Sequence, residues 1–250
     1  LVKDITLSKK SLTIGVGTST TLTASITPKD AANKGILWSS SDSKIATVSN
    51  TGVVTTKKRG TVTISATTQD GSNVIATCKI TVGYKITYHL NGGTNSEKNP
   101  IGFVGNKAVR LSNPTKTGYT FKGWYTNKNY KTKITKIKKG TKTNIALYAK
   151  WEKIKVDKAS IKSLKNSGKS KMKVTYDKVS GAKGYEITYA TNTKFTENIK
   201  NITTTAKSKT FKNLTKKSIY YVKVRAYKVD ASGNKIYGKY SAVKSVQIKK

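Results

Sequence analysis

Apolar and polar residues alternate along most of this 250-residue chain, and helical periodicity is absent. Leu22-Thr-Ala24-Ser-Ile26, Ala46-Thr-Val48, Val62-Thr-Ile64-Ser-Ala66 and Ala76-Thr-Cys78-Lys-Ile80-Thr-Val82 each place β-branched or small apolar side chains on every second position. That period predicts strands with one buried face. Turn-forming groups separate the runs: Pro28-Lys-Asp30, Asn50-Thr-Gly52 and Asp70-Gly71. Many short strands at such spacing predict a β-sandwich for residues 1–83.

The pattern changes at residue 84. Ile86-Thr-Tyr88-His-Leu90 reads as a strand that ends at Asn91-Gly92-Gly93, where glycine permits positive φ. Gly118-Tyr119-x-Phe121-x-Gly123-Trp124-Tyr125 and the closing run Ile145-Ala-Leu147-Tyr148-Ala149-Lys-Trp151 complete a second segment, 84–152. In the third, 153–250, strands are predicted at Met172–Tyr176, Gly184–Tyr189 and Tyr220–Ala226, with a hairpin turn at Asp230-Ala-Ser-Gly233-Asn234. Only Gly83 and the Glu152–Lys155 stretch are left as linkers, which predicts a semi-rigid rod.

Three resemblances follow from these residues. Ile5-Thr-Leu7, Leu12-x-x-Gly15, Pro28, Trp38-Ser-Ser40, Ile45-Ala46-x-Val48, Gly52-Val53-Val54 and Gly60-Thr61-x-x-Ile64-x-Ala66 resemble a bacterial immunoglobulin-like domain of group 2, which implies a core position for Trp38. The second segment resembles a Listeria–Bacteroides repeat of internalin-type surface proteins. That resemblance implies a compact β-grasp-like sheet with a short helical turn near Val104–Leu111. Leu214 … Tyr220-x-Val222-x-Val224-x-Ala226 is similar to a fibronectin type III domain, with Tyr220 at the tyrosine corner and Tyr176 where such domains usually carry a strand-B Trp. The expected fold class is all-β: two immunoglobulin-like sandwiches flanking a small β-grasp-like domain. Together the resemblances imply a modular, exported bacterial surface protein.

Charge changes the picture further. The chain carries 49 Lys and Arg against 11 Asp and Glu, a formal +38, and all but Arg59, Arg110 and Arg225 of the basic residues are Lys. Ten basic and four acidic residues give +6 for 1–83, fourteen and two give +12 for 84–152, and twenty-five and five give +20 for 153–250. Lys is a hydrated point charge, whereas Arg reads phosphates and base edges through a bidentate fork. The composition thus suits diffuse attraction to a polyanion better than sequence-specific nucleic-acid reading. The bland counterpart is charge that serves solubility alone. Lys207, Lys209, Lys212, Lys216, Lys217, Lys223 and Arg225 are the candidate polyanion contacts, because they crowd one strand, its turn and the strand that follows. An anionic cell-wall polymer or another extracellular ligand is the expected partner of a monomeric chain, and the expected location is extracellular, at the cell wall.

Catalytic chemistry finds little support. Lone Cys78 allows no intrachain disulfide and reads as a small buried hydrophobe. His89, the single histidine, sits on a strand with no acidic neighbour in sequence and reads as exposed. Most acids occupy turns, where Asp caps the backbone. Asp177/Glu186 is a weak candidate carboxylate pair, and Asp230-x-Ser232-x-Asn234 lacks the later bidentate Glu of a calcium loop. No cofactor, metal site or catalytic residue is expected. The aromatic group Tyr119, Trp124, Tyr125 and Tyr130 is a candidate sugar platform set against a core role. No apolar run approaches the roughly 20 residues of a membrane span. Leu1 begins no signal peptide, and the opening on strand-like sequence leads us to expect a segment of a longer chain. The reading is a non-enzymatic stalk or adhesion region. Its alternative is a carbohydrate-binding or spacer region of a larger secreted glycan-degrading enzyme, and nonspecific nucleic-acid binding is a further rival.

Overall fold

A computed structural model describes residues 1–249. All regular elements among them are strands, and no helix is long and apolar enough to cross a membrane. They form two compact units, one of residues 1–114 and 122–150 and the other of residues 115–121 and 151 onward.

In the first unit, β1 (Asp4–Leu7) pairs with β4 (Ala24–Thr27), and β3 (Ser19–Thr21) joins β7 (Val53–Thr56) and β6 (Ala46–Val48). A third sheet contains β5 (Ile36–Ser40), β8 (Gly60–Thr68), β9 (Ile75–His89) and β2 (Ser11–Gly15), the last parallel to β9. The predicted alternation holds: Val62, Ile64 and Ala66 of β8 and Cys78, Ile80 and Val82 of β9 point into one core with Ile14, Leu22 and Val54. Burial of the Val, Ile and Leu side chains, each contributing roughly 1.5–3 kcal/mol, holds the sandwich together. Trp38 packs against that core but remains half-buried, so the centre is aliphatic instead.

Gly83 is not a linker. It lies inside β9, a strand of 15 residues whose first half pairs with β8 and β2. The second half of β9 pairs with β10 (Gly102–Phe103) and, in parallel, with β15 (Ile145–Lys153). Glycines permit the convergence. A β-carbon on Gly83 would lie 2.2 Å from the Phe103 carbonyl oxygen, and one on Gly15 would lie 2.5 Å from the Lys85 α-carbon. The sheet continues through β12 (Tyr119–Tyr125) to β13 (Lys133–Ile134). The short helical turn expected near Val104–Leu111 is absent. That stretch bends at Gly105 (φ +79°) and enters β11 (Val109–Arg110), which pairs with β14 (Lys136–Ile137). A two-strand ladder supplies the backbone partners that a helical turn would have provided internally.

The third segment is a sandwich of two sheets. One is β16 (Ile161–Gly168), β17 (Lys171–Tyr176) and β20 (Ser208–Phe211). The other is β19 (Lys200–Thr204), β18 (Gly184–Ala190) and β21 (Ile219–Val229), with β22 (Lys235–Tyr237) and β23 (Lys244–Gln247) on successive stretches of β21. With β22 and β23 taken together as one interrupted edge strand along β21, the order is that of a fibronectin type III sandwich. Met172, Val174, Tyr176, Ile187, Val222 and Val224 fill its core. The tyrosine corner is present, since the Thr215 N–H donates to the Tyr220 hydroxyl at 3.1 Å. Tyr176 occupies the strand-B core position, is 3% exposed, and donates its hydroxyl to the Ala206 carbonyl at 2.5 Å. Burial pushes its phenol up to about 12.

Candidate polyanion-binding surface

The seven basic residues singled out from sequence do not form one face. Lys207 precedes β20, Lys209 lies on it, Lys212 follows it, and Lys216 and Lys217 turn the chain into β21; all five are exposed. β20 is the edge of the three-stranded sheet. Lys223 and Arg225 belong to β21, in the other sheet, and their outward direction is as predicted. The seven candidates therefore fall into two groups. Sequence adjacency across a sandwich crossover does not imply a shared surface.

The two groups differ in chemistry. Arg225 stands opposite Glu186 in the β18–β21 register, and its Nη2 lies 2.7 Å from Glu186 Oε1. The Tyr240 hydroxyl donates to the same oxygen at 2.8 Å. The guanidinium lies 3.9 Å from the Tyr237 ring centroid and 4.6 Å from that of Tyr240. Next along the strand, the Lys223 ammonium lies 3.9 Å from the Phe195 ring and 4.6 Å from the Tyr240 ring. A ladder of rings and cations thus covers the sheet, with contacts of about 0.5–1 kcal/mol each where exposed. Burial raises the Glu186 carboxyl, but the Tyr240 and Arg225 hydrogen bonds and the Arg225 charge outweigh it and hold it below the ordinary range. Arg225 is a satisfied structural cation.

Among the described residues the lysine group has no such partners. On the three-stranded sheet Lys165 of β16 stands directly opposite Lys173 of β17, and both are exposed. Cross-strand partners hold their β-carbons about 4.5–5.5 Å apart, and like charges there are destabilising. Among the described residues no carboxylate is paired with Lys165, Lys173, Lys207, Lys209 or Lys212. Sequence reasoning missed Lys165 and Lys173. Their signal was the alternation Lys171-Met172-Lys173-Val174, whose outward positions are all lysine.

Other candidates resolve plainly. Trp124 is 2% exposed, donates its indole N–H to the Ser112 carbonyl at 3.0 Å and meets Tyr88 edge-on, so it is core. Tyr119 is half-buried, with the Lys116 ammonium 4.3 Å from its ring. Tyr125 and Tyr130 meet at 5.4 Å, with Lys150 over both rings. His89 is exposed and stacks on Tyr148, with the rings 4.3 Å apart. Cys78 is fully buried, and desolvation raises its thiol. Asp230 takes its hairpin role: Oδ1 accepts from the Ser232 and Asn234 N–H groups, and Oδ2 from that of Gly118. Among the described residues no group of three His, Cys, Asp or Glu side chains is placed to hold a metal.

Comparison with known proteins agrees with this architecture. Residues 1–78 match the bacterial Ig-like domain (group 2) and residues 84–150 the Listeria-Bacteroides repeat domain. An uncharacterized protein of Clostridium acetobutylicum is 49% identical over 82 residues, 33% of this chain and 8% of that protein. An alpha-L-arabinofuranosidase of Bifidobacterium longum is 55% identical over 53 residues, 21% of this chain and 5% of the enzyme. The chain thus spans a small fraction of the length of these curated relatives. An Fn3-like protein from Clostridium thermocellum is 21% identical, covering 38% of this chain and 94% of that one, at a TM-score of 0.30. The strand order described above, not that likeness, defines the third fold. The chain is a modular β-protein: a bacterial Ig-like module, a Listeria-Bacteroides repeat module and a fibronectin type III-like sandwich. Modules of these kinds are typically non-catalytic.

Proposed function

We propose that the chain is a non-enzymatic stalk or adhesion region of an exported bacterial surface protein, held to an anionic cell-wall polymer by the lysines of its third module. The observation that carries this reading is the Lys165–Lys173 cross-strand pair beside the lysine-lined edge strand β20, with no carboxylate paired to either among the described residues. Such an arrangement is self-repulsive in isolation, and a polyanion laid across it relieves the repulsion. The test is binding of the chain to Gram-positive cell wall before and after removal of its teichoic acids, at low and high salt. Binding that needs the teichoic acid and weakens with salt supports the reading. Binding that ignores both defeats it.

A second reading is favoured by the Bifidobacterium longum match: an accessory region of a larger glycan-degrading enzyme. Retention on neutral polysaccharide gels, insensitive to salt, distinguishes it from the first.

A further inference from the structure

In the first unit a cleft of about 330 Å³ is lined by Thr13 of β2 and by residues between Lys98 and Arg110. Ligand pockets run about 300–1,000 Å³, so this one suits a single small ring. Phe103, Val104 and Val109 supply apolar lining, and Lys98, Lys107 and Arg110 supply three exposed cations. No Asp or Glu lines the cleft, and none of the three cations is paired with a carboxylate among the described residues.

The floor is held from both sides. A β-carbon on Gly102 would lie 2.1 Å from the Gly15 nitrogen, and one on Gly105 would lie 2.3 Å from the Thr141 carbonyl oxygen. The Gly140 N–H also donates to the Gly105 carbonyl at 2.8 Å. A backbone fixed at Gly102 and Gly105, with Phe103 buried between them, presents Val104 without a search, which lowers the ordering cost of binding.

From this geometry we infer that the cleft binds one anionic sugar unit. The carboxylate or phosphate meets Arg110 and Lys107, and the less polar ring face lies on Val104 and Val109. Arg110 is one of only three arginines, and its fork matches a carboxylate or phosphate bidentately. The cleft residues and the lysines of the third module are different side chains, so the two readings stand or fall independently.

The experiment is a titration of the ¹⁵N-labelled full chain with glucuronate, glucose 6-phosphate and glucose at 150 mM salt. Expected are saturable shifts at the amides of Phe103, Val104, Ala108 and Arg110 with the two anions, and none with glucose. R110Q and K107Q should each weaken binding about tenfold, the loss that follows removal of one charge-assisted hydrogen bond, with the remaining amide spectrum unchanged. K209Q should leave this binding intact, which separates the cleft from the polymer-binding reading. An equal response to glucose, shifts spread over all lysine-bearing surfaces, or affinity unchanged in R110Q would overturn the inference.

Discussion

Gly102 packs so closely on Gly15 that a β-carbon on the first would lie 2.1 Å from the backbone nitrogen of the second. That contact, with Gly83 against Phe103, closes β10 and β2 around the middle of β9. The Ig-like and repeat modules share one strand and one sheet, so they should unfold together. Hydrogen exchange at Ile64 and at Leu147, both fully buried, should report the same opening free energy. Gly102→Ala should destabilise both sites by about 1–3 kcal/mol, because neither neighbouring backbone has room to move. Independent opening of Ile64 and Leu147 would contradict the shared unit.

The tyrosine corner of the third module rests on one hydrogen bond, from Thr215 N–H to Tyr220. Tyr220→Phe keeps the ring in the core and removes the acceptor. The expected loss is about 1 kcal/mol in chemical denaturation, with no change of fold.

Acid should weaken the chain through carboxylates held below their ordinary range. Ser72 and the Val2 backbone lower Asp70. For Asp230, burial raises the carboxyl, but N–H groups from Gly118, Asn234 and Ser232 outweigh it. A group whose folded value lies below its unfolded value, about 3.9 for Asp, stabilises the fold above that pH. The contribution disappears as pH falls through the folded value. Denaturation midpoints should therefore be flat from pH 7 to about 5 and drop below about 4. Asp230→Asn should show a smaller drop than the parent. An equal drop would remove Asp230 from the account.

A turn recurs in two unrelated modules. Asn127 Oδ1 accepts the Lys131 N–H at 2.8 Å, and Asn192 Oδ1 accepts the Thr196 N–H at 3.0 Å. In each, the aromatic three residues after the Asn adopts positive φ: Tyr130 at 55° and Phe195 at 55°. Each ring then meets a lysine, Lys150 or Lys223. Bulky residues resist this conformation, so the Asn side chain must hold it. Asn192→Ala should cost about 1 kcal/mol and release Phe195. The Lys223 side-chain protons, shielded by the ring, should move toward ordinary lysine shifts in the NMR spectrum; unchanged shifts would show that Asn192 does not hold the ring.

These examples mark what the sequence makes legible. Period-2 alternation placed the buried residues of β8, β9, β17 and β21, because a strand exposes its pattern locally. The Tyr220 corner and the buried Cys78 were equally readable. Gly83 was not, since a glycine at a module boundary looks the same whether it bends a linker or admits another backbone. The split of Lys209 from Lys223, and the pairing of Lys165 with Lys173, depend on sheet order and register, which join residues distant in sequence. The positive φ of Tyr130 and Phe195 escaped notice because each depends on an Asn three residues earlier.

The central claim is that lysines of the third module hold an anionic polymer. It is tested most directly by the slope of log affinity against log salt, measured by calorimetry with a glycerol-phosphate polymer. The parent chain is compared with Lys165→Gln/Lys173→Gln/Lys209→Gln and with a control carrying Lys122→Gln/Lys128→Gln/Lys136→Gln. The account predicts a shallower slope for the first triple variant, by roughly 0.7–0.9 for each lysine–phosphate pairing removed, and the parent slope for the control. Equal slopes for the two variants, or a parent affinity indifferent to salt, would contradict it.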